Sequence, residues 1–259
     1  MVHVKSKTEL DRMRASGRLV SEILQKVAHL ARPGVALVEL DREAERLTLE
    51  LDAVPVFKGY LGFQYSLCTS VNEQVVHGIP TSRKLQDGDI LGLDFGVIYR
   101  GFCGDSAVTV PIGTVSDSAN RPMEATLESL YAAIDAARAG NSLKDVALAI
   151  EGVVEPLGYG IVREFVGHGI GQKLHEEPQI PNYSAGASNL KLKAGMTLAI
   201  EPMITAGRYD VRVLDDKWTA VTRDGSLSAH FEHTIAVTDD AAEVLTEWQL
   251  PRFGSFFGR

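Results

Sequence analysis

Apolar residues recur at helical spacing from near the start of the chain. Leu10, Met13, Gly17, Val20, Ile23, Leu24, Val27 and Leu30 fall on one face of a 3.6-residue period. The pattern predicts a helix over about 8–31, capped by Thr8 and stopped by Pro33-Gly34. A second helix is expected over about 37–51, then strands at 66–71, 75–77, 90–98 and 104–110, where β-type apolar runs replace the helical period. After Pro111-Ile-Gly the plan restarts. A helix over about 119–139 carries Met123, Leu127, Leu130, Ile134 and Ala137, and another opens at a Ser142 cap and runs to about 155. Strand material resumes at 161–166, 197–204, 218–223 and 230–237.

Short matches tie the two halves together. Ala31-Arg-Pro-Gly34-x-x-Leu37 parallels Ala137-Arg-Ala-Gly140-x-x-Leu143 at an offset of 106 residues. Leu85-x-x-Gly88, followed by Asp94, parallels Leu192-x-x-Gly195, followed by Glu201, at an offset of 107. Near-equal offsets suggest two similar helix-helix-sheet halves, about 5–112 and 113–248, in a single catalytic domain spanning 1–259. The expected fold is α+β, with helices on one side of an antiparallel-rich sheet and the site in the cleft between halves. Asp94 and Glu201 would then hold equivalent places on a shared sheet. The segment 249–259 reads as a tail, docked through its three phenylalanines or loose.

Several polar residues break this apolar pattern. Asp94 in Ile90-Leu-Gly-Leu-Asp94-Phe-Gly-Val and Asp105 in Gly101-Phe-Cys-Gly-Asp105-Ser-Ala-Val lie on the two arms of a hairpin. If residues whose numbers sum to 199 face one another, 94 lies opposite 105, with Cβ atoms roughly 5 Å apart. Two buried like charges at that distance cost several kcal/mol per ion unless a cation lies between them. Glu201 in Thr197-Leu-Ala-Ile-Glu201 and Glu232 in Ser228-Ala-His-Phe-Glu232 repeat the anomaly, and a glycine-flanked His168 adds an imidazole. Four carboxylates match the formal charge of two divalent cations. Oxygen-rich ligation with one nitrogen suits Mn, Fe, Co or Zn over a thiolate-selective ion. A metal pair sharing a bridging water would generate a nucleophile and polarise a carbonyl, which is hydrolytic chemistry. Cys103 is expected to point to the face opposite Asp105 and to be core. His230 and His233 beside Glu232 read as structural, and His77 by itself reads as a turn residue before Gly78-Ile-Pro80.

Composition narrows the setting. The 259 residues are 45% hydrophobic and 23% charged, ordinary values for a globular chain. No apolar leader or run of about 20 apolar residues appears, so no membrane role is expected. A net charge of −8 without a basic tract argues against binding nucleic acid. Cys68 and Cys103 are too few for a disulfide framework and suit a reducing cytoplasm.

In combination these motifs resemble the type I methionine aminopeptidases of the pita-bread fold. The resemblance covers about residues 5–248. It rests on Ser70-Val-Asn-Glu-Gln-Val-Val-His77-Gly-Ile-Pro80, the Asp94/Asp105 hairpin, Gly167-His168-Gly-Ile-Gly171, His175-Glu-Glu-Pro178, Ile200-Glu201-Pro202 and Phe231-Glu232-His233-Thr234. With no zinc-finger extension expected, it points to the short bacterial-type form. It implies that Asp94 holds one metal, Asp105 and Glu232 bridge two, and His168 and Glu201 hold the other. His175 would contact the scissile carbonyl or the tetrahedral intermediate and His77 the substrate backbone and leaving amine, with Glu201 also shuttling a proton. Phe57, Tyr60, Phe63, Cys68 and Trp218 would line a methionine pocket, and the second residue would be small. Substrates would be N-terminal Met peptides and nascent chains, Met1-Val2 of this chain among them, handled by a cytoplasmic monomer with a possible transient ribosome contact. The chain departs from the family pattern at Phe57, Leu61, Gln64 and Leu174, where relatives often carry Cys, His, Pro and Phe; none is a ligand, so pocket shape is what the departures put at issue. Two other readings stay open: a proline-directed peptidase, whose relatives usually carry a large extra N-terminal domain, and a non-enzymatic binding protein, whose relatives typically lose ligands.

Overall fold

A computed structural model describes residues 2–249; the expected tail lies almost wholly outside them. In chain order, α1 is Lys7–Leu30, α2 Leu37–Glu50, β1 Val54–Pro55, β2 Leu67–Val71, β3 Gln74–Val76, β4 Ile90–Tyr99 and β5 Phe102–Pro111. Then come α3 Asp117–Ala136, α4 Leu143–Val154, β6 Gly160–Ile161, β7 Gly167–Gly169, β8 Glu176–Ile180, β9 Thr197–Ile200 and β10 Met203–Thr205. The last strands are β11 Val211–Val213, β12 Ala220–Thr222, β13 Ser228–His230, β14 Glu232–Val237 and β15 Ala242–Val244. Among the described residues, no helix is long and apolar enough to cross a membrane.

Helix starts follow their caps. The expected Thr8 cap is displaced by Ser6, because Ser6 and Glu9 form a reciprocal capping box two residues earlier. Ser142 and Asp145 do the same for α4, as its sequence predicts.

The main sheet runs in the order β1-β4-β5-β14-β9-β7-β8, with antiparallel neighbours throughout. Its centre is symmetric: β5 and β14 form the middle pair, and β4 and β9 flank them. The duplicated motifs occupy equivalent places. Gly34 N–H donates to Leu85 O at 2.8 Å, and Gly140 N–H to Leu192 O at 3.0 Å. Ala36 bridges Lys84 as Ser142 bridges Lys191. The four motif glycines, 34, 88, 140 and 195, have φ between 90° and 93°, a left-handed backbone that a Cβ would strain. The repeated glycines therefore mark repeated turns.

Hairpin register differs from the expected pairing. Arg100 and Gly101 both have positive φ, +50° and +80°, and form the two-residue turn. Tyr99 consequently faces Phe102, Asp94 faces Ala107, and Asp105 faces Gly96. The numbers sum to 201 rather than 199. A shift of two preserves the face, so the two acids remain on one side as diagonal neighbours.

That side is set by helix packing. A Cβ at Gly104 would meet the backbone of Gly17 and Ser16 in α1 at 3.0 Å, so even positions of β5 face the helix. Odd positions face the other way. Cys103 therefore shares the face of Asp105, contrary to the expected placement, since residues two apart in a strand point alike. It is buried in the small apolar cluster that also holds Phe57, Phe63 and Cys68.

Two expected strands break where acids sit. The 197–204 run divides at Glu201-Pro202, because proline offers no ladder N–H. The 230–237 run divides at Phe231. Hydroxyls fill the opened ladder. Thr109 Oγ donates to His230 O at 2.8 Å, Ser106 Oγ to Glu232 O at 2.7 Å, and Thr234 Oγ to Asp105 O at 2.8 Å. The central pair can thus part around polar side chains without leaving main-chain groups orphaned.

Candidate metal centre and substrate cleft

Five adjacent strands of the sheet, β4, β5, β14, β9 and β7, carry or adjoin one ligand-capable side chain each: Asp94, Asp105, Glu232, Glu201 and His168. His168 Nε2 lies 3.5 Å from Glu201 Oε1 and 3.9 Å from Asp105 Oδ2. Donor atoms of Asp105, His168 and Glu232 all fall within 4.8 Å of one another, and so do those of Glu201, His230 and Glu232. The imidazole is oriented for ligation. His168 Nδ1 lies 2.9 Å from Gly169 O, so the ring proton sits there and the Nε2 lone pair faces the acids.

These carboxylates are badly placed for any purpose except holding cations. Asp105 and Glu232 are 4% and 2% exposed. Oδ1 of Asp94, Oδ1 of Asp105 and Oε1 of Glu232 are sealed from solvent with no donor in reach among the described residues. Native proteins rarely tolerate such orphans. Burial pushes the Asp94 carboxyl up to about 7. Burial, followed by repulsion from neighbouring acids, drives Asp105, Glu201 and Glu232 well above the usual carboxylate range. A divalent ion reverses that balance, satisfying the orphan oxygens and stabilising their charge together. The residues fit a metal.

The acids form the floor of a cleft of about 320 Å³. Its walls include all five of the pocket residues expected from the sequence, Phe57, Tyr60, Phe63, Cys68 and Trp218. Phe63 and Trp218 pack edge to face, with centroids 5.0 Å apart. Phe165, Val76, Val166 and Leu174 add to the apolar wall; the sequence reading missed Phe165, Val76 and Val166. Phe165 stands edge-on to His77 at 5.2 Å, and nearness in sequence, of Val76 to His77 and of Phe165 and Val166 to Gly167-His168, was the signal that could have found them. Leu61 stands at the rim, 81% exposed.

Two imidazoles border the same cleft. His77 follows β3 with φ +59°, a left-handed conformation that a non-glycine residue adopts at a cost. Burial, then repulsion from His175, lowers its pKa to about 4. His175 stacks edge-on to His168 with centroids 4.3 Å apart, and burial lowers its pKa too. Both rings are neutral at pH 7, each offering one N–H. His233, by contrast, is tied to Thr246 Oγ at 3.0 Å and stacked on Trp248, away from the cleft.

The Tyr60 hydroxyl lies 2.7 Å from His175 Nδ1. A tyrosine donating there fixes the imidazole proton on Nε2. Tyr60→Phe should lower kcat roughly fivefold, the worth of one hydrogen bond of ~1 kcal/mol, without changing bound metal. Steady-state kinetics beside elemental analysis would check it; unchanged kcat would leave Tyr60 as wall only.

Comparisons with known proteins agree in kind. The model of metallopeptidase family M24 matches residues 11–239. A methionine aminopeptidase of Bacillus subtilis is 48% identical over 246 residues, spanning 95% of this chain and 99% of that one. One from Clostridium acetobutylicum is 46% identical over 247 residues, with the same coverage. The crystal structure of a Thermotoga maritima methionine aminopeptidase superposes with a TM-score of 0.93 at 42% identity, covering 95% of this chain and all of that one.

Proposed function

We propose that this chain, which belongs to metallopeptidase family M24 and within it to the methionine aminopeptidases, removes the N-terminal methionine from peptides and newly made proteins whose second residue is small. It is a metal-dependent aminopeptidase of the pita-bread fold. The observation that carries the residue assignment is the set of buried, unpartnered carboxylate oxygens on adjacent strands beneath an apolar cleft.

Asp94, Asp105, His168, Glu201 and Glu232 would hold two divalent ions, drawn from Co, Mn, Fe and Zn on ligand chemistry. When bound, such ions supply Lewis-acid polarisation of a carbonyl and a water acidic enough to attack it. The remaining work falls to side chains. The apolar wall takes the methionine side chain, whose flexible thioether packs well against Phe63 and Trp218. His175, with its proton on Nε2, donates to the carbonyl oxygen as negative charge develops. His77 hydrogen-bonds the substrate backbone and assists the departing amine. Glu201 takes a proton from the attacking water and passes it on, a role suited to a carboxylate that lines the cleft beside the other acids.

The halves, about 5–112 and 113–248, act as one catalytic domain in this reading, because β5 and β14 meet at the sheet centre and each half supplies acids. A cytoplasmic monomer that meets chains as they leave the ribosome fits two free, buried cysteines. Two experiments in one decide the activity. Incubation with Met-Ala-Ser should release methionine, a chelator should stop it, and added Mn or Co should restore it. Xaa-Pro peptides should survive intact. Cleavage of Xaa-Pro instead would transfer the chain to the proline-directed peptidases, and inert but metal-loaded protein would make it a binding scaffold.

A further inference from the structure

His230 lies outside the five ligand positions, yet its ring reaches the same acids. The residue closes β13, two positions before Glu232, and is buried. Its backbone is pinned on both sides: its N–H donates to Thr109 Oγ at 2.9 Å, its carbonyl accepts from the same hydroxyl at 2.8 Å, and it pairs with Met203. Nε2 is sealed from solvent and finds no hydrogen-bond partner among the described residues. Glu201 Oε2 waits 3.7 Å away. The other oxygen of that carboxylate, Oε1, faces His168 Nε2 at 3.5 Å. Glu201 therefore sits between two imidazoles, one for each oxygen.

The two rings differ in where their protons can sit. His168 gives its Nδ1 proton to Gly169 O, which leaves Nε2 as a lone pair turned toward the acids. Among the described residues, no acceptor takes a proton from His230 Nδ1. The His230 proton is free to occupy Nε2, the atom that has an acceptor in front of it. An N–H buried without a partner is costly, and a small rotation of either side chain closes the gap to a charge-assisted bond.

We propose that His230 is a positioning residue for Glu201, donating Nε2–H to Oε2 so that Oε1 alone is presented to the cation beside His168. This deepens the reading above and rests on Glu201 being a metal-holding acid. Fixing one oxygen as a hydrogen-bond acceptor sets the carboxylate plane and keeps Glu201 from chelating through both oxygens. It also holds that carboxylate in place for proton transfer. The competing arrangement, with His230 binding the cation through a lone pair, requires the opposite tautomer.

The test is titration of metal-free protein with Mn(II) by calorimetry, which reads binding without any turnover. His230→Leu, similar in bulk but unable to donate, should weaken Mn(II) about 10- to 100-fold, the usual effect of removing a partner that orients a ligand. His230→Gln, whose side-chain amide can donate to Oε2, should bind within about threefold of the parent. In the loaded enzyme, kcat for Met-Ala-Ser should follow the Mn(II) trend while KM stays within about twofold. If His230→Leu fails to fold, His230→Asn, whose amide stops short of Oε2, should show the same loss. Parent-like affinity in the Leu or Asn variant would overturn the proposal. Equal weakening by Leu and Gln would overturn it in favour of direct ligation. Failure of the parent chain to bind Mn(II) at all would instead bring down the metal reading on which this rests.

Discussion

Changing Glu232 to Gln will remove at least one cation per chain and lower kcat/KM by more than about 100-fold, beyond the loss typical of a residue that merely orients a ligand. The reasoning is positional. Glu232 opens β14, a strand of the central pair, and pairs with Ala107, two residues from Asp105 on the same face of β5. Its Oε1 has no donor in reach among the described residues, and Asp105, Glu201 and Asp94 all press on its charge. An amide keeps the volume and deletes the charge that two cations would share. The same change acts oppositely on the metal-free protein. Removing one of several mutually repelling buried acids relieves electrostatic cost, so apo Glu232→Gln should melt at or above the parent temperature. Elemental analysis, peptide kinetics and thermal melts together test the pair of effects. A variant with full metal content and normal turnover would refute the assignment, and one that melts well below the parent would give Glu232 a structural task instead.

Much of this centre could be read from the chain because its chemistry contradicts its surroundings. A carboxylate inside Leu-Gly-Leu-Asp94-Phe or Leu-Ala-Ile-Glu201-Pro is visible without coordinates, since a strand that faces a core has no other use for it. The repeat was visible for a similar reason. Gly34 and Gly140, like Gly88 and Gly195, serve turns that need φ near +90°, so identity at those positions survives while neighbouring residues drift.

What escaped the reading depends on backbone detail or on convergence in space. The hairpin register turned on whether Tyr99-Arg100 or Arg100-Gly101 forms the turn, a difference settled by two positive φ angles. Strands β7 and β8 went unseen because Gly-His-Gly and Glu-Glu-Pro-Gln-Ile lack both alternation and β-branched density. The 230–237 run carries no proline or glycine to mark the break at Phe231, which leaves His230 on β13 and Glu232 on β14. Phe165 and Val76 lie close in sequence to His168 and His77, but an apolar residue beside a polar one reads equally well as core, so their place in the cleft wall shows only in the fold.

His175→Ala should divide the two parts of the site that the other substitutions disturb together. We expect kcat to fall about 10²- to 10³-fold, the scale for deleting one donor to a developing oxyanion, while bound metal and KM change little. The basis is that the hydrogen bond holding His175 comes from outside the ligand set. His175 packs against His168 with ring centroids 4.3 Å apart, but its Nδ1 is bonded to the Tyr60 hydroxyl at 2.7 Å rather than to any of the acids. Its backbone lies in the turn before β8, and the neighbouring Glu176 is anchored by Lys5 at 2.6 Å. Loss of the imidazole therefore leaves that loop tied down and the five ligand positions untouched. Metal content measured beside kcat and KM is the deciding readout. Should the alanine variant lose its cations along with its rate, His175 would belong to the ligand framework; should the rate hold, the carbonyl would have to find its donor in His77 or elsewhere in the cleft. Combining His175→Ala with Tyr60→Phe sharpens the point, because a tyrosine that acts only through this imidazole has nothing left to orient, and the double variant should be no slower than His175→Ala alone.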